Sequence, residues 1–140
     1  MHEKFALINW FAVLVAGLVS FFLGGLWYQA LFGKLWIKMH GWTEADVKAI
    51  QARMKPAVFF GGMIVCYLIA AVGMAFLIVS LSVNRWADGL ILGAVVWLIV
   101  AAAAFTNHIA VQKRFGLFVI DAAFFLVFLL FQGALLAYWR

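Results

Sequence analysis

Charge is scarce in this chain of 140 residues: 11% are charged and 69% hydrophobic, against about 25% and 45–50% in an ordinary soluble domain. With a mean hydropathy of +1.15, that composition excludes a soluble globular fold, a disordered chain and a fibrous repeat. Cysteine is nearly absent. The single Cys66 permits no disulfide within the chain and leaves the redox compartment undefined. Proline occurs once, at Pro56. Acids number 5 against 10 Lys and Arg, but the cations flank apolar runs. That arrangement suits anionic lipid headgroups and argues against a nucleic-acid partner.

What the chain has instead is long apolar runs. Positions 5–33, 56–84, 89–112 and 115–139 contain only one charged side chain, Asp121. A helix needs about 20 apolar residues to cross a bilayer core, so four spans are expected: 5–31, 57–81, 89–109 and 117–139. The first run is too long and uniform for a signal peptide, and no small-residue cleavage site closes it, so it is expected to remain as a span. Trp10, Trp27, Trp36, Trp86 and Trp139 fall near the proposed span ends, where interfacial aromatics belong. The fold class is an all-α integral membrane protein, a four-helix transmembrane bundle in one domain.

Residues 34–55 form the sizeable polar segment. Thr43 is placed to cap a short helix, with Asp46 in a capping-box position and Glu44 in the first turn. Val47, Ile50 and Met54 share one face, and Lys48 and Gln51 lie off it. This reads as an amphipathic helix lying in the membrane interface, or as a loop helix packed on the bundle. Lys4, Arg85 and Arg140 fall on one side of the membrane; Lys34, Lys38, Lys48, Arg53, Lys55, Lys113 and Arg114 fall on the other. That excess places segment 34–55 in the cytoplasm beside anionic headgroups, with both termini outside.

Small residues recur four apart at Ala12, Ala16, Ser20 and Gly24 in the first span, a stripe that lets helix backbones approach closely. Gly62, Cys66 and Ala70 form a similar stripe in the second span, and Gly133 with Ala137 a shorter one in the fourth. Packing within one bundle and contact between subunits both fit.

Polar groups in hydrocarbon face a partner or a cavity. His108 and Asp121 lie at nearly equal distances from the turn centred near Arg114, so an antiparallel hairpin brings them to equal depth. Asn107 is adjacent, and Tyr28 and Gln29 reach the same depth on the first span. Three roles are open: a binding or proton-handling site in which the carboxylate fixes the imidazole tautomer, a clip between helices, or pairing of Asp121 with Lys113 or Arg114. One His, one Asp and a distant Cys66 do not make a metal site, and no cofactor is implied. Asn9 and Gln132 are expected to bond between helices, and Trp97 to fill the core. No nucleophile–base set or phosphate loop is present.

The stretches Ile8-Asn9-Trp10, Gly24-Gly25-Leu26-Trp27-Tyr28 and Leu31-Phe32-Gly33-Lys34 with Trp36 resemble the family catalogued as domain of unknown function 1761. The Met54–Ala57 entry to the second span and Asp121-Ala122 look similar too. The resemblance implies a small bacterial four-helix inner-membrane protein without an assigned activity. It also marks Asn9, Trp10, Trp27, Tyr28, Phe32, Gly33 and Trp36 as a family signature, although anchoring of span ends and a turn explains them without catalysis. Small four-span multidrug exporters match in size, but they depend on an acid in the first span, and this one has none. The leading expectation is a homo-oligomeric module or an accessory subunit of a membrane complex. A small-solute or proton transporter using His108, Asp121, Asn107, Tyr28 and Gln29 comes second, and a lipid- or quinone-directed enzyme third.

Overall fold

The computed structural model describes residues 2–140. Seven α-helices follow in order: α1 (His2–Ala6), α2 (Trp10–Gly25), α3 (Gly33–His40), α4 (Glu44–Arg53), α5 (Pro56–Ser80), α6 (Trp86–Ala110) and α7 (Phe115–Tyr138). A π-helical turn, Leu26–Leu31, extends α2. Four helical stretches are long and apolar enough to cross a membrane: Trp10–Leu31, Pro56–Ser80, Trp86–Ala110 and Phe115–Tyr138. The first starts later than the hydropathy run, at Trp10 instead of Phe5. The reason is Asn9, whose side chain accepts from the Ala12 N–H and caps α2. Its Nδ2 also donates to the Trp139 carbonyl at 3.3 Å, tying the two chain ends together.

The other helix ends follow local chemistry as directly. α3 stops at Gly41, whose φ of 72° allows the left-handed turn. Bonds from the Trp42 N–H to the Ile37 carbonyl and from the Gly41 N–H to the Lys38 carbonyl complete a Schellman motif. Thr43 and Asp46 close the capping box that starts α4. Lys55 is extended, as a residue before proline should be, and Pro56 opens α5, where its missing N–H leaves nothing unpaired.

Helices α2, α5 and α7 make the core. Ala12 and Ala16 from α2 meet Ala71, Met74, Ala75 and Ile78 from α5 and Phe124, Phe128 and Leu136 from α7. Lipid is as apolar as leucine, so close packing and a few hydrogen bonds hold such a core together, with little help from water. The stripe Ala12, Ala16, Ser20 and Gly24 is buried throughout. The corresponding stripe of α5 is not: Gly62 and Cys66 are exposed and Ala70 is half-buried. Gly62 and Gly73 have open space where a Cβ would stand.

α6 packs almost wholly on α7, through a seam of glycines. A Cβ on Gly89 would collide with the Gly133 carbonyl oxygen and lie 2.7 Å from the Ala137 Cβ; one on Gly93 would strike the Leu129 carbonyl, and one on Gly133 the Gly89 carbonyl. Both termini and the α5–α6 turn gather at one end of the bundle, where Lys4 donates to the Ser80 carbonyl and Arg140 to the Val83 carbonyl. α3 and α4 occupy the opposite, lysine-rich end. α3 is laid against α7, with Met39 over Gly116. α4 stands off the bundle and buries none of its residues, which removes the alternative of a loop helix packed on the bundle.

Candidate functional site

Asp88 sits in the first turn of α6, whereas Asp121 is an acid set deeper in a span, six residues into α7 and so about 9 Å along the helix from its start. It is half-buried, and two donors meet on one of its oxygens. The Tyr28 hydroxyl donates to Oδ1 at 2.6 Å and the Trp36 indole N–H at 3.1 Å. Oδ2 has no partner among the described residues.

The chain bends deliberately to build this site. In the π-helical turn the Phe32 N–H reaches back five residues to the Trp27 carbonyl at 2.8 Å. The wider turn rotates Trp27 and Tyr28 relative to a continuous α-helix, a device often found at functional sites. Tyr28 then packs edge-on against Phe124, with centroids 5.4 Å apart, and Trp27 lies 4.6 Å from Phe32. Gly33 follows because a Cβ there would collide with the Tyr28 carbonyl oxygen. With no side chain at 33, α3 can fold back and deliver Trp36 to the carboxylate.

An aromatic shell extends the site outward along α3. Trp36 meets Tyr28 edge-on at 5.8 Å and His40 at 4.3 Å. His40 in turn stacks on Trp42, 4.2 Å away with planes 15° apart. Burial lowers the His40 pKa below its usual value, and the Lys113 cation lowers it further, while the Asp121 charge opposes both. At the start of α4, hydrogen bonds from the Thr43 backbone and side chain hold the Asp46 carboxyl below the ordinary range.

A second polar centre lies deeper. Gln132 and Ser20 are both fully buried, at 0% exposure. Gln132 Nε2 donates to the Ser20 hydroxyl at 3.0 Å and to the Tyr67 carbonyl at 3.3 Å. The Ser20 hydroxyl donates to the Ala16 carbonyl at 2.7 Å. This one glutamine joins α2, α5 and α7. Trp97 closes the α6–α7 contact, its indole N–H donating to the Ala122 carbonyl at 2.7 Å.

The sequence-derived candidates separate into two groups. Tyr28 and Asp121 come together, whereas Gln29 and Asn107 are exposed. His108 is half-buried beside Phe105 and Phe118, at 6.3 and 5.8 Å, and no hydrogen bond joins it to Asp121 among the described residues. Equal distance from the α6–α7 turn sets depth but not direction around the helix. Ala122, one residue on and so about 100° further round, faces α6 through Trp97; Asp121 is turned toward α2 and α3. Nor does Asp121 bond to Lys113 or Arg114. Trp36, His40 and Trp42 were the members not anticipated as site residues. Their sequence signals were the place of Trp36 among the residues that carry the family resemblance and the spacing of Trp36 and His40, four apart and hence on one face of α3.

A family model described as "Protein of unknown function (DUF1761)" matches residues 11–137. The chain belongs to that family. Of the residues that carried the resemblance, Tyr28, Gly33 and Trp36 build the Asp121 site. Asn9 and Trp10 precede the matched span, and Asn9 works at the other end of the molecule. No curated protein and no solved structure matches the chain.

Proposed function

We propose that this DUF1761 protein is a non-enzymatic membrane module that assembles with copies of itself through the outer face of α5. The observation that carries the reading is the direction of that face. Gly62, Cys66 and Gly73 point away from the helices of their own bundle, and the two glycines have open space around them. In a bilayer, a small-residue face lets the backbone of another helix approach closely, and that contact drives association. The proposed setting is a bacterial inner membrane with the lysine-rich end in the cytoplasm, since cations accumulate on that side.

Particle mass in a mild detergent tests the reading, together with oxidative crosslinking through Cys66, the single cysteine. A multimer is expected whose Cys66 residues crosslink, and which falls to monomer when Gly62→Ile and Gly73→Ile are combined. A particle that is monomeric from the outset, with no crosslink in membranes, would refute it.

One observation favours a second reading, a proton- or solute-handling site: Oδ2 of Asp121 has no partner within the described chain. On this reading the working residues are Asp121, Tyr28, Trp36 and His40, and His108 stands apart. It requires Asp121→Asn to abolish flux into liposomes while thermal stability is retained.

A further inference from the structure

We propose that the groove between α3 and α4 binds the headgroup of an anionic, hydroxyl-bearing phospholipid. The groove has a volume of about 480 Å³. Ile37, Trp42 and Val47 give it an apolar floor, and Lys34 and Lys48 stand along its walls with Glu44. Neither lysine donates a hydrogen bond within the described residues, and Glu44 forms no ion pair with Lys48, four residues on.

Charge complementarity selects the occupant. Two unpaired ammonium groups over an apolar surface suit a phosphate whose acyl chains stay in the hydrocarbon. Two lysines against one Glu44 leave the groove net positive, which favours an anionic headgroup over a zwitterionic choline, and Glu44 can accept a hydrogen bond from a glycerol hydroxyl. The start of α4 does not supply the anion site, because Asp46 already occupies it through the capping box. Location agrees with chemistry. The groove lies at the lysine-rich end beyond the first span, next to Trp36 and Trp42, at the level where interfacial aromatics and headgroups meet. It also accounts for α4 itself, a helix that buries no residue against its own bundle.

The test titrates phosphatidylglycerol into the full-length protein in mild detergent and follows retained lipid by native mass spectrometry. Phosphatidylcholine and soluble glycerol 3-phosphate serve as competitors. A lysine near a charged membrane surface changes affinity by about fivefold. Lys34→Gln combined with Lys48→Gln should therefore weaken phosphatidylglycerol binding by roughly 30-fold, with the unfolding midpoint unchanged. Lys38→Gln with Lys55→Gln removes equal charge from the same segment but outside the groove lining, where solvent and salt screen it from a headgroup held by Lys34 and Lys48, and should cost less than about threefold. The proposal is overturned if both pairs weaken binding equally, if the Lys34/Lys48 variant retains lipid like wild type, if phosphatidylcholine binds as tightly, or if glycerol 3-phosphate displaces the lipid at equal concentration.

Discussion

Replacing Gly133 by alanine should loosen the seat of α6 on α7, and the structure sets the size of the effect. The added Cβ would collide with the Gly89 carbonyl oxygen, a rigid backbone atom that cannot swing aside as a side-chain tip would. Restoring normal contact requires the helices to part by roughly 1 Å, and a gap of that size forfeits about a quarter to a half of each dispersion contact along the seam. Overpacking of this kind costs about 1–3 kcal/mol. Alanine's better helix propensity returns up to about 1 kcal/mol, leaving a net loss of up to about 2 kcal/mol when that gain is fully realised. α6 packs almost wholly on α7, so no other contact compensates. Gly61→Ala is the matched comparison, because its Cβ enters open space about 100° round α5 from Gly62, and only the propensity gain remains, up to about 1 kcal/mol in favour of the fold. Unfolding in mixed micelles with rising dodecyl sulfate measures both. Should the two variants prove equally stable, α6 is not seated through this glycine seam.

The Asp121 site makes two further predictions. Tyr28→Phe removes a hydrogen bond to a carboxylate and should cost about 1.5–3 kcal/mol, and less once Asp121→Asn is already present. Unfolding free energies of the two single variants and the double variant check this, and strictly additive losses would show that the two side chains do not share the bond. Protonation of His40 should loosen α3. Its folded pKa lies below the unfolded value, so between the two the unfolded chain holds more protons and stability rises with pH. The contribution is complete above about pH 6.5 and is lost as pH falls through the folded value. Unfolding midpoints at about pH 7.5 and about pH 5 should diverge in wild type and converge in His40→Gln.

Several features were legible one residue at a time. Thr43 and Asp46 announce the capping box, Pro56 starts α5, and Asn9 is a hydrogen-bonding residue near a span end. Tyr28 and Asp121 were placed at one depth by counting from the turns, and they do meet. The π-helical turn was not legible, since Leu26–Leu31 is composed like any other part of a span. Its role becomes apparent only beside Gly33, where the Tyr28 carbonyl needs the room a side chain would fill. His108 shows the opposite limit, a residue at the right depth that faces Phe105 and Phe118.

The amino-acid sequence alone determined how many segments can cross a bilayer, where each begins and ends within a few residues, and which end carries the cations. These are positions along the membrane normal, and the transfer of side chains from water to hydrocarbon orders them in one dimension. Only the tertiary structure decided which face of each helix turns inward, that α6 is held by glycines on α7, that α5 leaves Gly62, Cys66 and Gly73 exposed, and that α3 folds back to bring Trp36 to Asp121. Around the helix axis, lipid and neighbouring helix are equally apolar, so hydrophobicity cannot distinguish them. Close packing between backbones and the pairing of a few polar groups make that choice, and both need all the helices in place at once.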